Sequence, residues 1–140
     1  MRKILIDTNI VLDFALHRQD FGEDARNLIL FLVKNQIKSY ITASSITDIY
    51  YVLKKAKGHD DAIVFLKNSI NIIKVIGVDE EVIINALNSE MKDFEDAVQT
   101  ESAKQNDIEI IITRDKIDYK NSGLKIYIPK EYITEFMKTK

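Results

Sequence analysis

The 140-residue chain has no cysteine and no tryptophan, and only one proline and four glycines. Without cysteine, disulfide scaffolds, zinc ribbons, thiol catalysis and Cys-held iron–sulfur clusters are excluded. Long apolar runs are missing too. The stretch at residues 108–112 is broken by Glu109 and is far too short to cross a bilayer, so no membrane role is expected. Met1-Arg2-Lys3 leads straight into a strand-like run rather than a secretory core, and a cytoplasmic location is expected. Neither sign of charge dominates: 20 basic against 22 acidic side chains give a formal net charge of −2. That balance speaks against a duplex-coating protein held by an overall positive field, and leaves a local basic patch open.

What is present is a regular alternation of short apolar runs and helical stripes. Gly22, Gly58, Gly77, Gly123 and Pro129 are its only strong punctuation, and no linker, repeat or low-complexity tract lies between them. The length suits one domain over residues 1–140, large enough to bury a core without a metal staple. Lys3-Ile4-Leu5-Ile6 reads as a buried strand, and Ala25, Leu28, Ile29 and Leu32 as the helix that follows it. Ser39-Tyr40-Ile41 is a second strand, followed by a helix with the stripe Ile46, Ile49, Tyr50 and Leu53 that ends at Gly58. Ala62, Phe65 and Leu66 mark another helix, Ile72-Ile73-Lys74-Val75-Ile76 a strand, and Asp79 the cap of a helix carrying Val82, Ile83, Ala86 and Leu87. A helix from Phe94 to about Asn106, strands at Ile110-Ile111-Ile112 and Lys125-Ile126-Tyr127-Ile128, and a last helix from Pro129 with Tyr132, Ile133 and Phe136 inward complete the chain. Such alternation predicts an α/β fold with a mainly parallel sheet, helices on both sides, and ligands beyond the carboxyl ends of the strands.

Two strands share one design. Ile4-Leu5-Ile6 runs into Asp7-Thr8-Asn9, and Ile110-Ile111-Ile112 into Thr113-Arg114-Asp115, so each delivers polar groups to the same sheet edge. A carboxylate after a buried triplet is partly desolvated, which is costly without positive charge nearby. Taken singly, Asp7 and Asp115 read most simply as loop or cap residues; the repetition shifts that balance. Asp93, Asp96 and Thr100 can share one face of a helix, although Asp93 also suits an N-cap and Asp96 the helix dipole. Ser45-Ile46-Thr47-Asp48 has nearly the form of a capping box. Asp7, Asp48, Asp96 and Asp115 nevertheless come from separate elements that a parallel sheet gathers at one edge. Four carboxylates at close range repel unless divalent cations neutralise them, and oxygen ligands without His or Cys select Mg²⁺ or Mn²⁺.

In order and spacing, Asp7-Thr8-Asn9, Ser44-Ser45-Ile46-Thr47-Asp48, Asp93-Phe94-Glu95-Asp96-Ala97 and Ile112-Thr113-Arg114-Asp115 resemble the four acidic motifs of PIN-domain ribonucleases. The resemblance covers the whole chain and is nearest to the compact bacterial branch, whose tail carries a stretch like Pro129-Lys130-Glu131-Tyr132. It implies a three-layer PIN-like fold and a metal-dependent endoribonuclease, similar to the toxin halves of virulence-associated BC toxin–antitoxin pairs. By the same resemblance Asp7, Asp96 and Asp115 are metal ligands for Mg²⁺ or Mn²⁺, and Asp48 completes the catalytic set. Many relatives have Glu in the second motif; the shorter Asp48 implies reach through a bridging water. Some members carry Asn in the fourth motif, where Asp115 is retained. The implied partners are RNA as substrate, a small antitoxin protein and a second copy in a homodimer.

Thr8, Asn9 and Thr113 are expected to support the site with neutral hydrogen bonds, Asp93 is a fifth acidic member, and Arg114 a contact to a flanking phosphate. Asp118 reads as a solvated turn residue, and His17 and His59 receive no catalytic role. Lys54, Lys55 and Lys57 read as a solvated helix end, and Phe14, Phe21, Tyr50 and Tyr51 as aromatics available to a partner surface, Tyr50 also fitting the core. A haloacid-dehalogenase-type phosphatase needs a second Asp where Asn9 stands, and a receiver-like domain needs an Asp where the middle strands end in Thr42 and Gly77. The alternative left open is an inactive PIN-like module that binds RNA or protein, favoured only by Asp48 in place of Glu.

Overall fold

The computed structural model describes residues 3–139; Met1, Arg2 and Lys140 lie outside the described residues, and with them the expectation placed on Met1-Arg2. Five strands, β1 (Lys3–Ile6), β2 (Lys38–Thr42), β3 (Lys74–Ile76), β4 (Ile110–Ile112) and β5 (Lys125–Tyr127), form one parallel sheet in the order β3-β2-β1-β4-β5. Helices α1 (Thr8–Leu16), α2 (Gly22–Lys34), α3 (Ala43–Lys57), α4 (His59–Ser69), α5 (Glu80–Leu87), α6 (Phe94–Gln105) and α7 (Pro129–Thr139) cover it. The expected three-layer α/β architecture is what the chain adopts.

Strand alternation assigns the layers. Ile4 and Ile6 of β1, with Ile110 and Ile112 of β4, pack on one face against apolar residues of α1, α2, α3 and α7. Leu5 and Ile111 point the other way, onto Ala103 of α6, Ile108 and Tyr119. Ile4, Leu5, Ile6, Ile111 and Ile112 are all 0% exposed, each contributing about 1.5–3 kcal/mol by burial. The chain works outward from β1 to β2 and β3, then α5 and α6 carry it back across to β4 on the other side of β1. The strand order therefore reverses between β1 and β4, and their carboxyl ends open a crevice there. Asp7 and Thr113 are the residues that leave those two strands.

Three local expectations change. A helix follows β1 at once, ahead of the one carrying Ala25, Leu28, Ile29 and Leu32: α1 starts at Thr8, and Ile10, Val11, Leu12, Asp13 and Ala15 are all buried. Because α1 is enclosed nearly all round, it carries no two-sided stripe to read. Asp48 does not cap α3; the Thr42 hydroxyl accepts the Ser45 N–H at 3.2 Å, which leaves Asp48 in the second turn. The third strand begins at Lys74, with Ile72 and Ile73 preceding it. Other caps stand as read: Asp79 accepts from Val82 N–H at 3.0 Å and Asp93 from Asp96 N–H at 2.9 Å.

Candidate active site

At the reversal of strand order lies a cleft of about 430 Å³, walled by Asp7, Asp48, Asp93, Glu95, Asp96, Asp115 and Asp118, with Thr8, Asn9, Gln99 and the exposed Tyr51 among the other lining residues. None of its described lining residues is basic. Asp7 is held by the β ladder, its N–H donating to the Ile112 carbonyl at 3.0 Å, so its carboxylate emerges where α1 begins. Only 6% of the residue is exposed. Thr113 Oγ1 donates to Asp7 Oδ2 at 2.7 Å and Gln99 Nε2 to Oδ1 at 3.0 Å. Burial pushes the Asp7 pKa up, and these donors oppose the shift. Thr113 also accepts the Asp115 N–H at 3.1 Å, so one buried hydroxyl holds the Asp7 carboxylate and the Asp115 backbone.

Asp96 stands in the first turn of α6 and accepts from the Tyr119 hydroxyl at 3.1 Å. Burial first, then the negative charges of Asp7 and Asp93, push its pKa up to about 7. Burial likewise raises Asp48, and it raises Glu95 with help from the charges of Asp48, Asp93 and Asp7. Asp115 and Asp118 are exposed on the loop and 3-10 helix (Lys116–Tyr119) at the rim. Asp118 is solvated as expected, yet it lines the cleft and its charge reaches Asp96.

Thr113 supports Asp7 as expected, whereas Thr8 and Asn9 bond elsewhere. Thr8 shares a 2.6 Å hydrogen bond with Ser45, which shares another of 2.9 Å with Thr42, tying the start of α1 to that of α3. Asn9 Oδ1 accepts from Arg18 at 3.3 Å. Arg114 does not line the cleft. Its guanidinium donates to the fully buried Asp13 at 3.1 Å and lies 4.2 Å over the Phe21 ring, so the phosphate contact expected of it gives way to a structural ion pair. Arg18 donates to the same Asp13 oxygen at 3.1 Å. Lys57 donates to the Ala15 carbonyl at 3.2 Å near the end of α1, and Lys54 lies 5.9 Å over the Tyr50 ring. Tyr50 shares a 2.7 Å hydrogen bond with His59, and Phe14 packs on Phe65 in the core.

Two buried residues of the site went unread. Gln99, rather than Thr100, is the α6 residue that meets the carboxylates; Thr100 Oγ1 is buried with no partner. Spacing carried that signal, since Gln99 follows Asp96 by one helical turn. Tyr119 had no local signal, because its partners come from α6.

The donor set suits a hard divalent cation: carboxylate oxygens whose mutual repulsion a cation relieves, and a buried Gln99 Oε1 that lacks a donor, a state costing about 1–3 kcal/mol. Among the described residues no three acidic or His side chains already converge on one ion position.

A parallel sheet ordered 3-2-1-4-5, with an acidic cleft at its point of reversal, defines a class of three-layer α/β domain. The chain belongs to the PIN-domain family, whose model, described as PIN domain, matches residues 3–117. It is 26% identical over 122 residues to Ribonuclease VapC1 of Aquifex aeolicus (strain VF5), covering 84% of each chain. Among solved structures, VapBC2 of Rickettsia felis, bound to a DNA fragment from its promoter, matches at TM-score 0.70 and 13% identity, over 90% of this chain and 98% of that one. VapC20 of Mycobacterium tuberculosis, a Sarcin-Ricin loop cleaving toxin, matches at TM-score 0.63 and 13% identity, over 77% and 86%.

Proposed function

We propose that the protein is an endoribonuclease that hydrolyses phosphodiester bonds in RNA with Mg²⁺ or Mn²⁺, and that it is the toxin half of a toxin–antitoxin pair. The observation that carries this reading is the switch-point cleft, in which the charge of the buried Asp7 adds to the cost of ionising the half-buried Asp96. The ribonuclease and toxin names of its relatives support the same chemistry. Asp7, Asp96 and Asp115 would hold the cation, with Asp48 on the facing wall. A bound divalent ion supplies Lewis acidity, lowering the pKa of water and polarising a phosphoryl oxygen. Thr113 orients the Asp7 carboxylate and holds the Asp115 backbone, Tyr119 orients Asp96, and Asp48 would complete the catalytic set from the cleft wall. In this reading Arg114 braces the fourth motif and leaves the phosphate to other groups.

The partners follow from that role: an RNA strand, a small antitoxin protein and a second copy of the chain, all in the cytoplasm. Purified protein is expected to cleave single-stranded RNA, to lose the activity in EDTA, and to lose it in Asp7→Asn and Asp96→Asn with the circular dichroism spectrum unchanged. Cleavage that survives EDTA, or full activity in both variants, would sink the mechanism. RNA binding without any cleavage would instead support an inactive module, the reading favoured by Asp48 standing where relatives carry Glu.

A further inference from the structure

Asp7 leaves β1 and Asp96 sits on α6, and two uncharged side chains join them. Gln99 Nε2 donates one proton to Asp7 Oδ1 at 3.0 Å and the other to the Tyr119 hydroxyl at 3.2 Å. Tyr119 donates its own proton to Asp96 Oδ1 at 3.1 Å. The direction is forced: a rotated Gln99 amide would set its oxygen against a carboxylate, and a phenol has one proton to give. Gln99 is 3% exposed and Tyr119 1%, the latter among Leu5, Ala103, Ile108 and Ile111. Met and Phe would fill these places without burying polar atoms. What the polar pair adds is orientation without charge, since a Lys or Arg here would neutralise the carboxylates and compete with a cation. Gln99 Oε1 is also buried and accepts no hydrogen bond.

We propose that Gln99 and Tyr119 are positioning residues, a hydrogen-bonded bridge that holds Asp7 and Asp96 in register for a divalent cation. The proposal rests on the metal-dependent reading above. Its test is a Mn²⁺ titration of the full chain, followed by the electron paramagnetic resonance of free Mn²⁺, in wild type, Tyr119→Phe, Gln99→Met and the double variant, with melting curves in EDTA alongside. Each single variant is expected to weaken Mn²⁺ about tenfold or more. The double variant is expected to lose little beyond the worse single, since either break opens one bridge. Wild-type affinity in both singles, or full additivity in the double, overturns the bridge. A lowered melting temperature with unchanged Mn²⁺ affinity in the folded protein also overturns it, because packing alone would do that. If Gln99→Met does not fold, Tyr119→Phe decides, being isosteric. Uptake of no Mn²⁺ by the wild type overturns the nuclease reading and the bridge with it; uptake that the variants leave unaltered removes only the bridge.

Discussion

Asp96 has an ordinary pKa of 3.8 when unfolded and about 7 when folded, so across that interval the native state binds the extra proton. Stability conferred by that proton is complete below pH 3.8 and is lost as pH rises through about 7. Melting temperatures in EDTA should accordingly fall between acid and neutral pH, Asp7 adding a slope of the same sign. Asp96→Asn should flatten the fall and melt higher than wild type at neutral pH, while abolishing Mn²⁺ binding. A metal-free melting curve that climbs with pH over this range would contradict the assignment. A second buried carboxylate, Asp13, has its pKa raised by burial as well, but lies between two cations that oppose the shift. Asp13 is 0% exposed and held by both Arg18 and Arg114, so Arg114→Met should cost about 2 kcal/mol in urea unfolding by leaving Arg18 as its remaining guanidinium partner. Asp7, Asp93, Asp96 and Asp115 were legible from sequence, because each follows a buried triplet or opens a helix, whereas Glu95 and Asp118 join them in the cleft without such a signal. Of the distant partners, Thr113, 106 residues from Asp7, was expected; Gln99, which meets Asp7 across 92 residues, and the pairing of Arg114 with Asp13 across 101 were not.

Helix starts place much of the cleft wall, and α6 shows how one residue serves both the helix and the site. Asp93 caps α6 through the Asp96 N–H and also lines the cleft. Asp93→Ala should cost about 1 kcal/mol, whereas Asp93→Asn keeps a capping oxygen and should stay within a few tenths of wild type. Equal losses in both, measured by urea unfolding, would mean that charge near the helix dipole matters more than the cap. The α1–α2 joint makes a sharper case. A Cβ on Gly22 would sit 2.9 Å from the His17 carbonyl carbon and 3.1 Å from its Cα, both backbone atoms. Gly22→Ala should therefore destabilise by about 1–3 kcal/mol, although Ala is the better helix former. An unchanged urea midpoint would show that the joint can give. Elements with one buried face, such as α2, α3 and α7, could be read from their stripes. The enclosed α1 could not, since burial on every side erases the periodicity, and its first residues looked like a polar tail on β1.

For the whole molecule, a net charge of −2 understates what an RNA strand meets at the cleft. Seven carboxylates, Asp7, Asp48, Asp93, Glu95, Asp96, Asp115 and Asp118, line it without a basic residue among the described lining. The sheet gathers acids from four separate stretches of chain to the carboxyl ends of β1 and β4, where Arg114 lies 3.9 Å from Asp115 without lining the cleft. Phosphodiesters should then be repelled until divalent cation is bound, and the metal offsets part of that negative field where the phosphate docks. Fluorescence anisotropy with a labelled single-stranded RNA in EDTA, where metal-dependent cleavage does not compete, should give weak binding for the wild type. Neutralising two rim charges with Glu95→Gln and Asp118→Asn should tighten that metal-free binding severalfold, and raising the salt should narrow the gap between variant and wild type by screening the repulsion. Identical affinities in EDTA at low salt would mean that RNA approaches the protein by a surface other than this cleft.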